Sequence, residues 1–231
     1  MARISQGRDS VDSKKSTSTN TEVQRLHHAG LEVPDPQRIR KALRLIRDEP
    51  EGHLLDIGYS KGSFADYLVE AGWDCTGLDI SPHEHPRIKT IQCDILDGLP
   101  VESEFYDVVT AGEVIEHTLQ EGDFLDECYR VLKPDGKLLL TTPNLAFFLN
   151  RFLVLAGRVP MFVYAPYHYH FHTKKTLTEL AAQHGFEVDR VIASHVLYST
   201  RRHPSGKIFE WLADLFPTFG AHLILLARKV K

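Results

Sequence analysis

The chain is short of cysteine, of net charge and of long apolar runs, and each shortage excludes a class of protein. Cys75, Cys93 and Cys128 are an odd set of three with no C-x-x-C pair, so neither a disulfide framework nor a cysteine-rich zinc site is expected, and the expected compartment is a reducing cytoplasm. The 27 basic side chains face 31 acidic ones, and the formal net charge of -4 argues against a general basic surface for nucleic acid. The most apolar stretch, 145–157, is broken by Asn150 and Arg151 and stops at Gly157. It falls short of the roughly 20 apolar residues a spanning helix needs, and is expected to be a buried or partner-facing helix. Peripheral lipid contact stays open. The Ser/Thr/Lys-rich residues 1–20 lack the apolar core of an export signal and are expected to form a disordered tail ahead of a single domain over 21–231. What is abundant is histidine, 13 in all, three of them in the run His168, His170, His172.

From residue 35 onward, short apolar runs alternate with amphipathic helical patterns, which predicts an α/β fold with a mostly parallel sheet covered on both faces. Helices are expected at 37–49, 63–72, 123–133 and 173–185, and strands at 53–58, 74–81, 88–95, 106–112, 137–144, 186–195 and 221–230, with Pro134-Asp135-Gly136 as a turn. In the first helix Ile39, Leu43 and Ile46 form the apolar face, and Arg40, Arg44 and Arg47 read as a solvated charged face. The segment 145–172 carries aromatics and histidines where turn residues would be ordinary, and is expected to build a lid or acceptor pocket.

The strand at 53–58 ends in Asp56 and enters Gly58-Tyr59-Ser60-Lys61-Gly62 before a helix, a loop whose small residues let a ligand lie against backbone and free helix N–H groups. The dinucleotide fingerprint Gly-x-Gly-x-x-Gly is not met, since Ser60 and Ser63 stand at its second and third glycines. Asp79 and Asp94 end the next two predicted strands, so three acids occupy successive carboxyl strand ends, where open α/β sheets bind ligands. Singly, each is better explained as a turn or cap residue, and it is the three together that point to cofactor binding.

The loop resembles the first motif of the class I S-adenosylmethionine-dependent methyltransferases, Asp/Glu-x-Gly-x-Gly-x-Gly, with Ser60 at the middle glycine. The resemblance runs strongly over about 50–144 and implies a Rossmann-like, doubly wound seven-stranded sheet with an antiparallel last strand. It implies that Asp56 fixes the loop or holds the methionine amino group through water, while the backbone from Gly58 through Tyr59 and Ser60 to Gly62 passes along methionine and ribose. Asp79 would accept from both ribose hydroxyls, Ile80 would pack on adenine, and Asp94 with Ile95 would meet the adenine amine. S-adenosylhomocysteine would be the product.

Glu113-Val114-Ile115-Glu116-His117 places Glu113, Glu116 and His117 on one face if helical, a geometry suited to a divalent cation. The segment resembles the Glu-x-x-Glu-His element of ubiquinone-biosynthesis O-methyltransferases and small-RNA 2'-O-methyltransferases, where it binds a divalent metal with a later histidine. That histidine corresponds to His168, five residues before Thr173, with His170 and His172 as alternates. The metal-free reading puts Glu113 near the cofactor sulfonium and makes His117 the general base or its orienting partner. Methyl transfer to an oxygen or nitrogen of a small, hydrophobic acceptor is the expected activity. A metal-dependent enzyme acting on an RNA end and a non-catalytic cofactor-binding subunit are the alternatives. His27, His28, His53, His83, His85, His184, His195, His203 and His222 have no motif around them and are treated as background, and the oligomeric state is not legible.

Overall fold

The computed structural model describes residues 35–60, 63–81, 84–165, 167–195 and 215–230. The expected tail at 1–20 and Gly62 lie outside them. The described elements are α1 (Pro36–Ile46), β1 (His53–Ile57), α2 (Ser63–Glu70), β2 (Asp74–Asp79), β3 (Lys89–Gln92), β4 (Tyr106–Gly112), α3 (Glu121–Val131), β5 (Leu132–Pro143), α4 (Phe148–Leu155), α5 (Lys174–Gln183), β6 (Phe186–Ser194) and β7 (His222–Lys229), with 3-10 turns at Ile95–Asp97, Ile115–His117 and Pro217–Phe219. The strands form one seven-stranded sheet in the order β3-β2-β1-β4-β5-β7-β6. All pairings are parallel except those of β7, which runs antiparallel to both β5 and β6.

Two apolar layers follow from the period-2 alternation of strand side chains. Leu55, Ile57, Val109, Ala111, Leu138, Leu140, Leu223 and Leu225 meet α3 and α5 through Phe124, Leu125, Cys128, Leu177 and Ala181. Their strand neighbours Leu54, Val108, Leu139, Ile224 and Leu226 meet α1 and α2 through Ala42, Ile46, Ala65 and Leu68. The central strands β1, β4, β5 and β7 are thus hydrophobic on both faces, and the polar chemistry is pushed to the strand ends.

The predicted turn at Pro134-Asp135-Gly136 sits inside β5 as an irregularity. The pairing with β4 jumps from Tyr106–Leu132 to Val108–Lys137, and Asp135 takes a left-handed φ of 62°. The extra residues loop out while the strand continues. The helix at 148–155 is less enclosed than a core helix: Phe152 and Leu155 are 61% and 83% exposed, and Asn150 is its only buried residue. Asn150 latches the segment, donating to the Leu145 carbonyl at 3.1 Å and accepting from the Met161 N–H at 2.8 Å. Among the described residues no helix is long and apolar enough to cross a membrane.

Candidate active site

The parallel order reverses between β1 and β4, the switch point at which α/β sheets open a crevice at their carboxyl ends. The loop leaving β1 is bent back over β2: the N–H groups of Gly58 and Tyr59 both donate to the Leu78 carbonyl, at 2.7 and 3.2 Å. Gly58 has φ +73°, and a Cβ there would meet Val114 Cγ2 at 2.5 Å, so conformation and space both require glycine. Ser60, at φ 48°, then donates its N–H to Asp79 Oδ2 at 3.0 Å, and Asp79 Oδ1 accepts from Ser81 N–H at 2.7 Å. Asp79 therefore ties the glycine loop to the end of β2 while retaining further lone pairs.

Asp56 is 2% exposed and accepts from the Thr110 hydroxyl at 2.7 Å, which joins β1 to β4 beneath the crevice. Asp94 caps the short turn after β3 by accepting from Leu96 N–H at 3.1 Å, and Ile95 packs partly buried against the larger core layer. The Ile80 carbonyl accepts from Gln92 at 3.0 Å. The Tyr59 side chain is 4% exposed and lies over Gly77, where a Cβ would come within 2.7 Å of its ring. Only its backbone is left to meet a ligand.

Beyond β4 the one-face helical arrangement is not adopted. Glu113 is left-handed at φ 60° and only Ile115–His117 turns as a 3-10 helix, so the two glutamates take different partners. Glu113 is bound by the Arg38 guanidinium at 2.5 Å and the Thr141 hydroxyl at 3.0 Å, with His222 Nε2 at 3.6 Å. Burial opposes its ionisation, but Arg38 and His222 outweigh that and hold its carboxyl below the usual glutamate range.

Glu116 is 1% exposed and accepts from the Thr142 hydroxyl at 3.0 Å. Burial and the adjacent Glu113 charge push its carboxyl well above the usual range, and its buried Oε1 has no hydrogen-bond partner among the described residues. His117 Nδ1 lies 3.0 Å from the Tyr167 carbonyl, an acceptor, which assigns the ring proton to Nδ1 and the lone pair to Nε2. The His168 ring stands edge-on to His117 at 4.6 Å, and Glu116, His117 and His168 each bring one ligand atom within 4.8 Å of the others. His170 and His172 turn instead to Glu121, at 3.3 and 3.1 Å.

Carboxylate plus two imidazoles is a donor set that fits a divalent transition metal, and the Nδ1–H to carbonyl bond is the support a ligating histidine commonly has. Arg38 carries no motif and escapes a reading of helix arginines as solvated. Ala42 and Ile46, at successive i+4 steps, extend the buried stripe back to it and are the signal that would have found it.

The methyltransferase domain family matches residues 27–191. A Mycolicibacterium smegmatis protein named a probable S-adenosylmethionine-dependent methyltransferase is 34% identical over 143 residues, covering 59% of this chain and 52% of that protein. The mitochondrial ubiquinone biosynthesis O-methyltransferase of Bos taurus is 26% identical over 190 residues, 74% of this chain and 49% of that one. The chain thus spans about half the length of the curated relatives it matches. Among solved structures, a Burkholderia thailandensis 1,6-didemethyltoxoflavin-N1-methyltransferase with bound S-adenosylhomocysteine has the same fold, with a TM-score of 0.63, 18% identity, and coverage of 100% of this chain and 95% of that one. With the family match spanning most of its length and this sheet beneath it, the chain belongs to the S-adenosylmethionine-dependent methyltransferase domain family.

Proposed function

We propose that the chain transfers the methyl group of S-adenosylmethionine to an oxygen of a small, hydrophobic acceptor. The observation that carries this reading is Asp79, at the end of β2, drawing the Ser60 N–H of the glycine loop onto its carboxylate at 3.0 Å. A cofactor ribose laid along that loop finds a two-oxygen acceptor already oriented, and charge-assisted bonds of this kind contribute about 1.5–3 kcal/mol each. Asp94 and Ile95 then stand on the adenine side, and Asp56 with the Gly58–Ser60 backbone on the methionine side. Glu113, clamped by Arg38, presents a fixed negative charge toward the sulfonium end.

The cofactor's sulfonium already activates the methyl group, so the protein's remaining work is alignment, exclusion of water and removal of the acceptor proton. His117 is the group for that proton: the Tyr167 carbonyl against its Nδ1 fixes the ring orientation and the tautomer, and an imidazole has the right basicity for an oxygen acceptor near neutrality. If Glu116, His117 and His168 hold a divalent cation, that cation supplies Lewis acidity that lowers the acceptor hydroxyl's pKa. The segment 145–172 is the acceptor wall: Tyr169 N–H docks on the Glu116 carbonyl at 2.7 Å, fixing the histidine-bearing stretch to the catalytic turn. Phe148, Phe152 and Met161 on this segment favour an apolar acceptor.

The test is methyl transfer from labelled S-adenosylmethionine to a panel of hydrophobic phenols and hydroxybenzoates, alongside S-adenosylhomocysteine binding by calorimetry. Binding with turnover on a hydroxyl is expected. Binding without turnover on any oxygen or nitrogen acceptor would leave a cofactor-binding subunit, and no binding would remove the reading altogether.

A further inference from the structure

A second cluster of ligand-type side chains stands at the same edge, beside β6 and β7. Asp35 caps α1, its Oδ1 accepting from the N–H groups of Gln37 and Arg38 at 3.1 and 3.2 Å, which turns Oδ2 toward His195 Nδ1 at 3.3 Å. His195 is the first residue past β6 and is held left-handed at φ 53°, with its carbonyl gripped by Ala221 N–H at 2.9 Å. A non-glycine residue persists there only when its surroundings over-determine it, and such strain gathers at functional sites. His222 opens β7 and places its ring edge-on to His195, 6.1 Å between centroids. The two imidazoles are 4% and 9% exposed, and with the Asp35 carboxylate each offers one ligand atom within 4.8 Å of the others.

We propose that Asp35, His195 and His222 form a cation site for a divalent transition metal of the zinc type, separate from Glu116, His117 and His168. Two imidazoles and one carboxylate are the donor types that class of ion prefers. The local charge is favourable, since Asp35 and Glu113 together face the single guanidinium of Arg38. Phe162 of the 145–172 segment lies against His222 at 5.5 Å between rings, so the trio packs against the proposed acceptor wall. The three ligands come from the α1 cap, the β6 exit and the β7 entry, which no local motif would reveal. The proposal does not depend on the methyl acceptor or on the first histidine cluster.

Cobalt(II) titration of the full chain, followed by visible d–d absorption with zinc competition, tests it. The double variant His117→Ala/His168→Ala removes the other cluster and should still bind Co(II) with a zinc-reversible spectrum. Adding Asp35→Asn to that background should weaken binding about tenfold or more. Asn keeps the α1 cap, so the thermal melt in EDTA should stay near that of the double variant. Adding His222→Gln should abolish the spectrum. The proposal is overturned if the double variant binds no Co(II), or if Asp35→Asn binds as its parent does. A loss of thermal stability in EDTA with unchanged Co(II) affinity would mark the trio as a structural tie for α1 only.

Discussion

The two edges of the sheet are built from the same residue types and behave differently. At the amino edge the half-buried charges are paired with opposite ones: Asp107 takes the Lys133 ammonium at 2.7 Å and the His53 N–H at 2.9 Å, and Glu127 holds Arg130 at 2.7 Å and Leu99 N–H at 2.7 Å. Lys229 there donates to the Leu132 carbonyl at 2.8 Å. At the carboxyl edge the half-buried Glu113 lies close to the fully buried Glu116, and Ser60, Glu113, Phe162, Tyr167 and His195 are all left-handed. Among the described residues the amino edge has two left-handed residues other than glycine, Glu104 at a turn and Asp135 in the β5 irregularity. One edge is organised for stability, while the other stores strain and like charge where a ligand with its own charge would bind.

The contrast is tested most strongly at Arg38. Arg38→Ala would leave Glu113 without its cation beside Glu116, and should destabilise the fold by roughly 2–4 kcal/mol, the lower part of that range reflecting some solvent access. Lys133→Ala at the amino edge should lose about 1 kcal/mol or less. Urea denaturation of the two variants compares them directly, and equal losses would erase the distinction.

Catalysis should separate from binding at the next level. His117→Ala is expected to lower turnover by about 10²–10⁴-fold while leaving S-adenosylhomocysteine affinity within a factor of about two. Parent-like turnover would remove His117 as the base.

The smallest effect concerns acid. Burial opposes ionisation of Asp107, but the Lys133 hydrogen bond and the His53 N–H outweigh it and hold the carboxyl below the usual range. A depressed folded pKa contributes stability that is complete above the unfolded value of about 3.9 and is lost as pH falls through the lower folded value. The stability advantage of the parent over Asp107→Asn, about 1 kcal/mol or less, should therefore be constant above about pH 5 and shrink between about pH 4 and 2. An advantage unchanged down to acid would show that Asp107 contributes by shape alone.

Much of this was legible because it is local. The alternation of Leu54 with Leu55 and Val108 with Val109 announces strands buried on two faces, and acids at 56, 79 and 94 mark strand ends without any tertiary knowledge. What was illegible depends on backbone hand or on distant partners. The spacing of Glu113, Glu116 and His117 implies one face only in a helix, and a single left-handed residue sends Glu113 to Arg38 instead. His168 stands beside His117 while His170 and His172 face Glu121, a division made by tertiary contacts that spacing does not encode. His195 and His222 meet Asp35 only because β6 and β7 end beside the cap of α1.

The most direct test of the central claim is calorimetric binding of S-adenosylhomocysteine to the full chain and to Asp79→Asn. Replacing the carboxylate by an amide removes charge-assisted acceptance from the ribose hydroxyls, so the parent should bind one equivalent and the variant about 10–100-fold more weakly, with an unchanged circular dichroism spectrum. No binding by the parent, or equal affinity in Asp79→Asn, would contradict the assignment of the carboxyl edge as the cofactor site.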